Sequence, residues 1–240
     1  MSRATLFSLP LAALFGALMA KPAFADNCDI FINPADCQNT GWTIGVIATA
    51  GGVAAAATAA AAKGKPKVTE TKREFKDCNE AVSWLNSSTE TGQASSDIKP
   101  TVGKPVTGKT DAGPGHTATV DVKWKFNPDG STTTIEVPEW PNMTPADKAA
   151  VQKYKDALKA HEDGHHKVAK DWAAKESTKI TGEGATPEEA RADLQRKLEQ
   201  YQQDAQQRLD GETAAYDAKT SHGANQSAVG GQDVKLTCPG

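Results

Sequence analysis

The sequence predicts an α+β fold in which a β-hairpin or small antiparallel sheet packs on a long helix and on a second, antiparallel helix. Apolar residues alternate with charged or polar residues over positions 120–137, as they do in strands with one buried face. Two helix-start signals follow, at Thr144-Pro145 and Thr186-Pro187, where an N-cap residue precedes proline at the first helical position. We expect these elements to form one domain over residues 67–226.

Residues 1–25 are typical of a secretory signal peptide. Arg3 stands in a short basic region, an apolar run follows, and Ala23-Phe24-Ala25 matches the small-residue pattern of a cleavage site. We therefore predict a protein that is secreted or periplasmic after cleavage near Ala25.

The chain has four cysteines, and all of them follow the predicted cleavage site. An even number of cysteines in an exported chain favours disulfides, and four cysteines allow three connectivities. We favour Cys28 with Cys37 as a local loop, and Cys78 with Cys238 as a bridge that ties the tail, residues 227–240, to the domain. No C-x-x-C spacing occurs, which argues against a cysteine-based zinc site.

Residues 26–66 hold the first cysteine pair and a spacer rich in alanine and glycine. The run 41–62 is long enough to span a bilayer, but alanine and glycine contribute little to membrane insertion. Lysines follow directly at Lys63, Lys65 and Lys67, and by the positive-inside rule they would keep the rest of the chain in the cytoplasm, in conflict with disulfides. A flexible or loosely helical spacer is therefore favoured, and a membrane segment is the alternative.

Before the long helix, the sequence predicts a short helix, a loop and the hairpin. Asp77-Cys78-Asn79-Glu80 resembles a capping box, and residues 87–115 are rich in Ser, Thr, Gly and Pro, which favours a loop. Asn127-Pro128-Asp129-Gly130 is typical of a turn between the two alternating segments. A peptide substrate could add a strand to the edge of this hairpin, and the alternative is a hairpin that only covers the helix.

The long helix carries the most informative motif, His161-Glu162-Asp163-Gly164-His165. Residues four apart lie on one face of a helix, so both imidazoles can reach a single ion while Glu162 flanks the water on that ion. This HExxH pattern is typical of zinc peptidases, in which the glutamate takes a proton from the attacking water. Both histidines share the apolar stripe of the helix, whereas His166 lies round the helix and is predicted at the surface. A buried histidine pair satisfied by hydrogen bonds is the alternative.

The second helix predicts where a third metal ligand lies. A short loop over 182–184 would make the two helices antiparallel, so the end of the second helix returns to the histidine pair. The candidates there are Glu212, Asp217 and His222. His222 is preferred, because imidazole suits zinc and Gly223 permits a tight turn. Asp217 is the rival ligand, or the carboxylate that orients a ligand histidine, and Tyr216 could hydrogen-bond the developing oxyanion.

The chain resembles a bacterial family of domains described as predicted secreted zinc-dependent proteases. The matching segments are Ile135-Glu136-Val137-Pro138-Glu139-Trp140, the HExxH helix and Tyr216-Asp217-Ala218-Lys219-Thr220-Ser221-His222-Gly223, which together cover residues 68–226. The resemblance implies a zincin-like metallopeptidase with His161 and His165 as ligands, Glu162 as catalytic base and His222 as third ligand. It implies no substrate, because the activity of the family is inferred from its motif.

These observations predict an exported zinc-dependent metallopeptidase that hydrolyses peptide bonds, with Zn²⁺ as cofactor and a peptide or protein as substrate. The leading rival is a catalytically inactive zinc-binding interaction protein of the cell envelope. A third hypothesis is a membrane-tethered envelope protein whose histidines only pack. The formal net charge of −3 and the lack of a basic cluster argue against a nucleic-acid partner. The sequence sets no oligomeric state.

Overall fold

The computed structural model describes residues 64–88, 91–111 and 115–239, together with the backbone of two short strands that precede them. These residues form an α+β fold with a mixed sheet, which confirms the predicted class. The strands are β1 (Ile44–Ile47), β2 (Ala57–Thr58), β3 (Lys67–Glu74), β4 (Gly92–Val102), β5 (Val106–Lys109), β6 (His116–Glu139) and β7 (Ser177–Gly184). The helices are α1 (Cys78–Ser87), α2 (Pro145–Lys175) and α3 (Pro187–Thr220), and a 3₁₀ helix follows at Gln226–Val229.

The sheet is organised around β6. Neighbouring strands follow the order β1-β4-β6-β3-β2, and both β5 and β7 also pair with β6. β3 runs parallel to the second half of β6, whereas β4, β5 and β7 run antiparallel to it. The sheet is therefore mixed. β3 precedes β6 in sequence, with α1, β4 and β5 between them, and β6 then runs beside β3 in the same direction.

The predicted β-hairpin is wrong, because its two arms belong to one continuous strand, β6. β4 pairs with both arms, and the register shifts between the pair Asp97 with Asn127 and the pair Ser95 with Thr132. Within this irregularity, Ser131 Oγ donates to the carbonyl oxygen of Asn127 over 2.8 Å, and Asn127 Nδ2 donates to Asp97 Oδ2 over 2.5 Å. The turn-forming residues therefore make a β-bulge, which absorbs extra residues without reversing the chain.

The segment 87–115 is not mainly a loop, since it contains β4 and β5. β4 buries Ala94, Ser96 and Ile98 and pairs with β6 along most of its length. Small and polar residues at inward positions conceal the alternation that usually reveals a strand. The sequence signal was weak here because the neighbours of β4, rather than its own hydrophobicity, stabilise it.

Both predicted starts of the long helices are confirmed. Thr144 Oγ1 accepts a hydrogen bond from the Asp147 N–H over 3.1 Å, and Thr186 Oγ1 accepts one from the Glu189 N–H over 3.2 Å. In each case the carboxylate of that acid accepts a hydrogen bond from the backbone N–H of the N-cap residue, which completes a capping box. Asp77 caps α1 in a similar way, by accepting from the Glu80 N–H over 2.9 Å.

Strand β7 joins α2 to α3, where the sequence predicted a loop. Gly182 and Gly184 belong to β7, and a side chain at either position would collide with the backbone of α3 near Ala190. These glycines therefore let the strand and helix backbones approach closely. The predicted antiparallel return of α3 along α2 is confirmed, because Leu209 shares a core cluster with Trp172 and the later Tyr216 reaches the earlier His161.

Helix α2 is covered on two sides, and this places His166 in the core rather than at the predicted surface. His166 Nδ1 lies 2.8 Å from Ser96 Oγ on β4, and its Nε2 lies 2.9 Å from Thr133 Oγ1 on β6. Burial lowers the pKa of His166 to about 4, so its imidazole is neutral near pH 7. The surface prediction failed because the sheet covers this face of α2 while α3 covers the face that carries His161.

The predicted bridge between Cys78 and Cys238 is present, with Cα atoms 5.8 Å apart. It ties the C-terminal tail to α1, and Leu236 of that tail is buried beside Ile135 and Tyr154. A disulfide is consistent with an extracellular protein. The predicted signal peptide, residues 1–25, and the pair Cys28 with Cys37 lie outside the described residues.

Only two parts of the spacer 41–62 are described, and both are strands rather than loose helix. Ile44–Ile47 pairs with β4 and Ala57–Thr58 pairs with β3, each in the antiparallel sense. Within the described part of the chain, no helix combines the length and the apolar character needed to cross a membrane.

Replacing Cys78 and Cys238 together by serine should lower the free energy of unfolding by about 2–5 kcal/mol, because the bridge constrains a long loop in the unfolded chain. The two cysteines are 160 residues apart in sequence. Urea denaturation of both proteins without reductant measures the difference. A difference below about 0.5 kcal/mol, the usual effect of a neutral surface substitution, would contradict a stabilising role for the bridge.

Candidate metal centre

Three ionisable side chains from α2 and α3 converge into one cluster. Asp217 Oδ1 lies 3.0 Å from His165 Nε2 and 3.5 Å from His161 Nε2. One ligand atom from each of these residues lies within 4.8 Å of the others, and no second group of this kind occurs in the described ranges. Both histidines are buried, whereas the Asp217 side chain is 17% exposed, so the cluster meets solvent on the Asp217 side.

Helix geometry and one glycine bring these groups together. His161 and His165 are one turn apart on α2, with ring centroids 4.9 Å apart and planes at 81°. Tyr216, in the last turns of α3, stacks on the His161 ring with centroids 5.2 Å apart. A β-carbon at Gly164 would collide with the Tyr216 hydroxyl. The glycine inside the HExxH motif therefore permits the close approach of α3 that delivers Asp217.

Gln226 connects His161 of the cluster to the adjacent Tyr216 through its side-chain amide. Its Oε1 lies 3.0 Å from His161 Nδ1, and its Nε2 donates to the Tyr216 hydroxyl over 2.9 Å. Tyr216 in turn donates to the backbone carbonyl oxygen of His161 over 3.2 Å. Gln226 is itself 5% exposed, so this network is enclosed within the protein.

A left-handed turn after α3 closes the site. Ser221, His222 and Gly223 have φ values of 48°, 52° and 89°, and the His222 N–H donates to the Asp217 carbonyl oxygen over 3.0 Å. Glycine favours this backbone region, and a β-carbon at Gly223 would also lie 3.3 Å from His161 Cγ. The predicted tight turn at Gly223 is therefore present, and it packs against a histidine of the cluster.

The two candidates for the third ligand occupy different positions. Asp217 lies between the histidines, whereas His222 Nδ1 lies 3.8 Å from Asp217 Oδ1 with 48% of its side chain exposed. The structure thus brings His161, His165 and Asp217 together and leaves His222 at the rim beside them. A role for His222 as a ligand stays a prediction.

The site is electrostatically suited to a cation. Burial raises the pKa of Asp217, but hydrogen bonds from His161 and His165 lower it by more, so its carboxylate is ionised well below its usual range. Burial lowers the pKa of His161, but hydrogen bonds to Asp217 and Gln226 and the charge of Glu162 raise it above its ordinary value. The Asp217 carboxylate and the neighbouring imidazoles stabilise each other's charged forms, which contributes to both pKa shifts.

Glu162 is buried on the sheet-facing side of α2, next to the cluster. A β-carbon at Gly92, the first residue of β4, would collide with the Glu162 carboxylate, so glycine provides the space that this side chain occupies. The charge of Glu162 contributes to raising the pKa of both His161 and Tyr216. For Tyr216, burial is the larger cause, and its hydroxyl stays protonated near pH 7.

The donor set fits a divalent metal such as zinc. Bonds of about 2.0–2.2 Å at tetrahedral angles separate two ligand atoms by about 3.3 Å. The separations of 3.5 Å and 3.0 Å from Asp217 Oδ1 to the two histidine Nε2 atoms bracket that value. Two imidazoles and one carboxylate are a known set of catalytic zinc ligands, and such sites leave a fourth position for water or substrate.

The sequence identifies the side chains of this site but not the residues that hold them in place. His161, Glu162, His165, Tyr216 and Asp217 were all identified from the motif and from the expected return of the second helix. Gln226 was missed, because a glutamine in a polar turn carries no pattern that marks a buried partner of histidine. The steric role of Gly164 was missed for a similar reason, since the collision involves a residue far away in sequence.

The family comparison supports a bacterial domain of unknown function. A family model described as "Bacterial protein of unknown function (DUF922)" matches residues 91–223, more than half of the chain. The matched segment contains the HExxH motif and the turn at 221–223. No curated protein and no solved structure matches the chain.

Gly164→Ala should lower the free energy of unfolding by about 1–3 kcal/mol, because the added methyl group displaces Tyr216 from the His161 ring. The matched control is Gly211→Ala in α3, where a β-carbon has nothing within 4 Å. That control should raise stability by about 0.5–1 kcal/mol, as alanine does inside an open helix. Chemical denaturation of both variants measures the difference.

A double-mutant cycle identifies the cause of the Gly164→Ala effect. When Tyr216→Ala is introduced first, Gly164→Ala should no longer be destabilising, because the hydroxyl it would strike is gone. An equal cost of Gly164→Ala in both backgrounds would show that Tyr216 is not the obstacle.

Proposed function

We propose, for a chain that belongs to this bacterial family of unknown function, that it is a zinc-dependent peptidase whose ligands are His161, His165 and Asp217. The observation that carries the proposal is the convergence of one ligand atom from each residue within 4.8 Å. The presence of Glu162 directly after the first histidine favours a hydrolytic site over a purely structural one. Export of the protein is part of the proposal, and the bridge between Cys78 and Cys238 supports it.

Asp217 is preferred to His222 as the third ligand on distance and burial. Its carboxylate approaches both histidine Nε2 atoms, whereas His222 lies beyond it at the solvent-facing rim. An ionised carboxylate also reduces the net charge of a dication held by two neutral imidazoles. In this arrangement His222 is available to contact substrate or to hydrogen-bond Asp217.

The chemistry divides among a small number of groups. Zinc, when bound, supplies Lewis acidity that polarises a carbonyl group and lowers the pKa of water to about 7. Glu162 accepts a proton as general base, and its burial and proximity to the cluster support that role. Tyr216 keeps its phenolic proton and donates to the His161 carbonyl oxygen over 3.2 Å, so its hydroxyl would have to leave that carbonyl to donate to an oxyanion.

Metal content tests the ligand set. We expect one zinc per chain in the wild-type protein, measured by mass spectrometry after exposure to zinc and desalting. Asp217→Ala and His165→Ala should each weaken zinc binding by more than the roughly 10–100-fold cost of losing a group that only orients a ligand. His222→Ala is the matched control and should retain the metal. Zinc lost in His222→Ala but kept in Asp217→Ala would assign the third ligand to His222 instead.

Hydrolysis tests the catalytic part of the proposal. Glu162→Gln removes the base but keeps the shape of the side chain, so it should lower kcat on an unstructured protein substrate by about 10²–10⁴-fold. Zinc content should remain at one per chain, because Glu162 is not a ligand. A wild-type protein that binds zinc but cleaves no member of a diverse peptide library would support the catalytically inactive zinc-binding protein instead.

A further inference from the structure

We infer that Gln226 is a positioning residue of the metal centre, whose side-chain amide sets the tautomer of His161 and the direction of the Tyr216 hydroxyl. The inference rests on the proposed function, because it assigns a role within the same site. Gln226 lies in the 3₁₀ helix that follows α3, beyond the segment 91–223 that the family model matches. The 3₁₀ helix therefore contributes to a site that otherwise belongs to α2 and α3.

The contact between Gln226 and His161 determines where the imidazole proton lies. Gln226 Oε1 is 3.0 Å from His161 Nδ1, and an amide oxygen can only accept, so Nδ1 carries the proton. Without a metal, Nε2 can carry a second proton and donate to Asp217 Oδ1, whereas a neutral imidazole keeps only the Nδ1 proton and leaves the lone pair on Nε2. This is the tautomer that binds a metal through Nε2, with the other nitrogen held by an acceptor.

The other end of the same amide orients Tyr216. Gln226 Nε2 donates to the Tyr216 oxygen over 2.9 Å, so the phenolic proton points away from that nitrogen. The carbonyl oxygen of His161, 3.2 Å away, and Gln226 Oε1, 3.3 Å away, are the acceptors for this proton. With a metal on His161 Nε2 the ring proton lies on Nδ1, so reversing the amide would place its NH₂ group donor against donor, and the metal-bound site selects one orientation.

The tail holds Gln226 in place through several contacts. A β-carbon at Gly231 would lie 2.6 Å from Gln226 Cγ, so the returning chain packs directly on this side chain. The Val234 N–H donates to the Gly223 carbonyl oxygen over 2.9 Å, and Asp233 Oδ1 accepts from the Ser227 N–H over 2.8 Å. The loop that carries Gln226 is thus closed on both sides, which preorganises its amide.

His165 provides a contrast that makes Gln226 more important. Its Nδ1 is buried and has no hydrogen-bond partner among the described residues. The ring orientation of His165 therefore depends on the contact of its Nε2 with Asp217 and on packing, including the edge contact with Tyr216 at 4.9 Å between centroids. Since Gln226 orients both His161 and Tyr216, its loss should loosen the whole ligand set.

Zinc affinity and the His161 tautomer together test the inference. Gln226→Leu keeps the volume but removes both polar ends, and it should weaken zinc binding by about 10–100-fold in competition with a chromophoric chelator. Gln226→Glu restores the acceptor for His161 Nδ1, so its zinc affinity should equal or exceed that of the wild type. Gln232→Leu, the same substitution at an exposed residue of the tail, is the matched control and should leave zinc affinity within about threefold of the wild type.

Imidazole ¹⁵N chemical shifts of the zinc-free protein report the tautomer independently of metal binding. The wild type should show His161 protonated on Nδ1, and Gln226→Leu should lose that preference. Unchanged zinc affinity and tautomer in Gln226→Leu, or equal losses of zinc affinity in Gln226→Leu and Gln232→Leu, would overturn the inference. A wild-type protein that binds no zinc would instead refute the proposed function, and the tautomer measurement would then decide the role of Gln226 alone.

Discussion

The contact between the Asp217 carboxylate and the two histidines of α2 is the interaction on which the site depends. It brings a carboxylate from the end of α3 against buried imidazoles, at 3.0 Å and 3.5 Å. Burying ionisable groups is costly unless each finds a partner of opposite charge or a metal ion. The two long helices are therefore held in one relative position, and the tight turn and the tail are arranged around it.

Glycines set the spacing that this arrangement requires. Gly164 admits Tyr216 against α2, Gly223 admits the chain beside the His161 ring, and Gly92 leaves space for the Glu162 carboxylate. In each case the group that would collide belongs to a different element, so the constraint is tertiary. The site is thus defined by three close approaches as much as by its polar side chains.

The C-terminal tail links stability to the site. Cys238 anchors the far end of the tail to α1, Leu236 fills the core near Tyr154, and Gly231 packs on Gln226, which contacts His161. A segment with little regular structure can hold a buried amide in one orientation only if both of its ends are fixed. The disulfide, the apolar contact and the backbone bond to Gly223 provide those fixed points.

The sequence by itself determined the features that depend on local patterns. These include the caps at Thr144 and Thr186, the histidine pair one helical turn apart, the α+β class and the pairing of Cys78 with Cys238. Tertiary structure decided the rest: the Asn127 turn became a bulge, His166 became buried, and Asp217 rather than His222 came to lie between the histidines. Each of these outcomes depends on which face of a helix or strand another element covers, and spacing along the chain does not encode that contact.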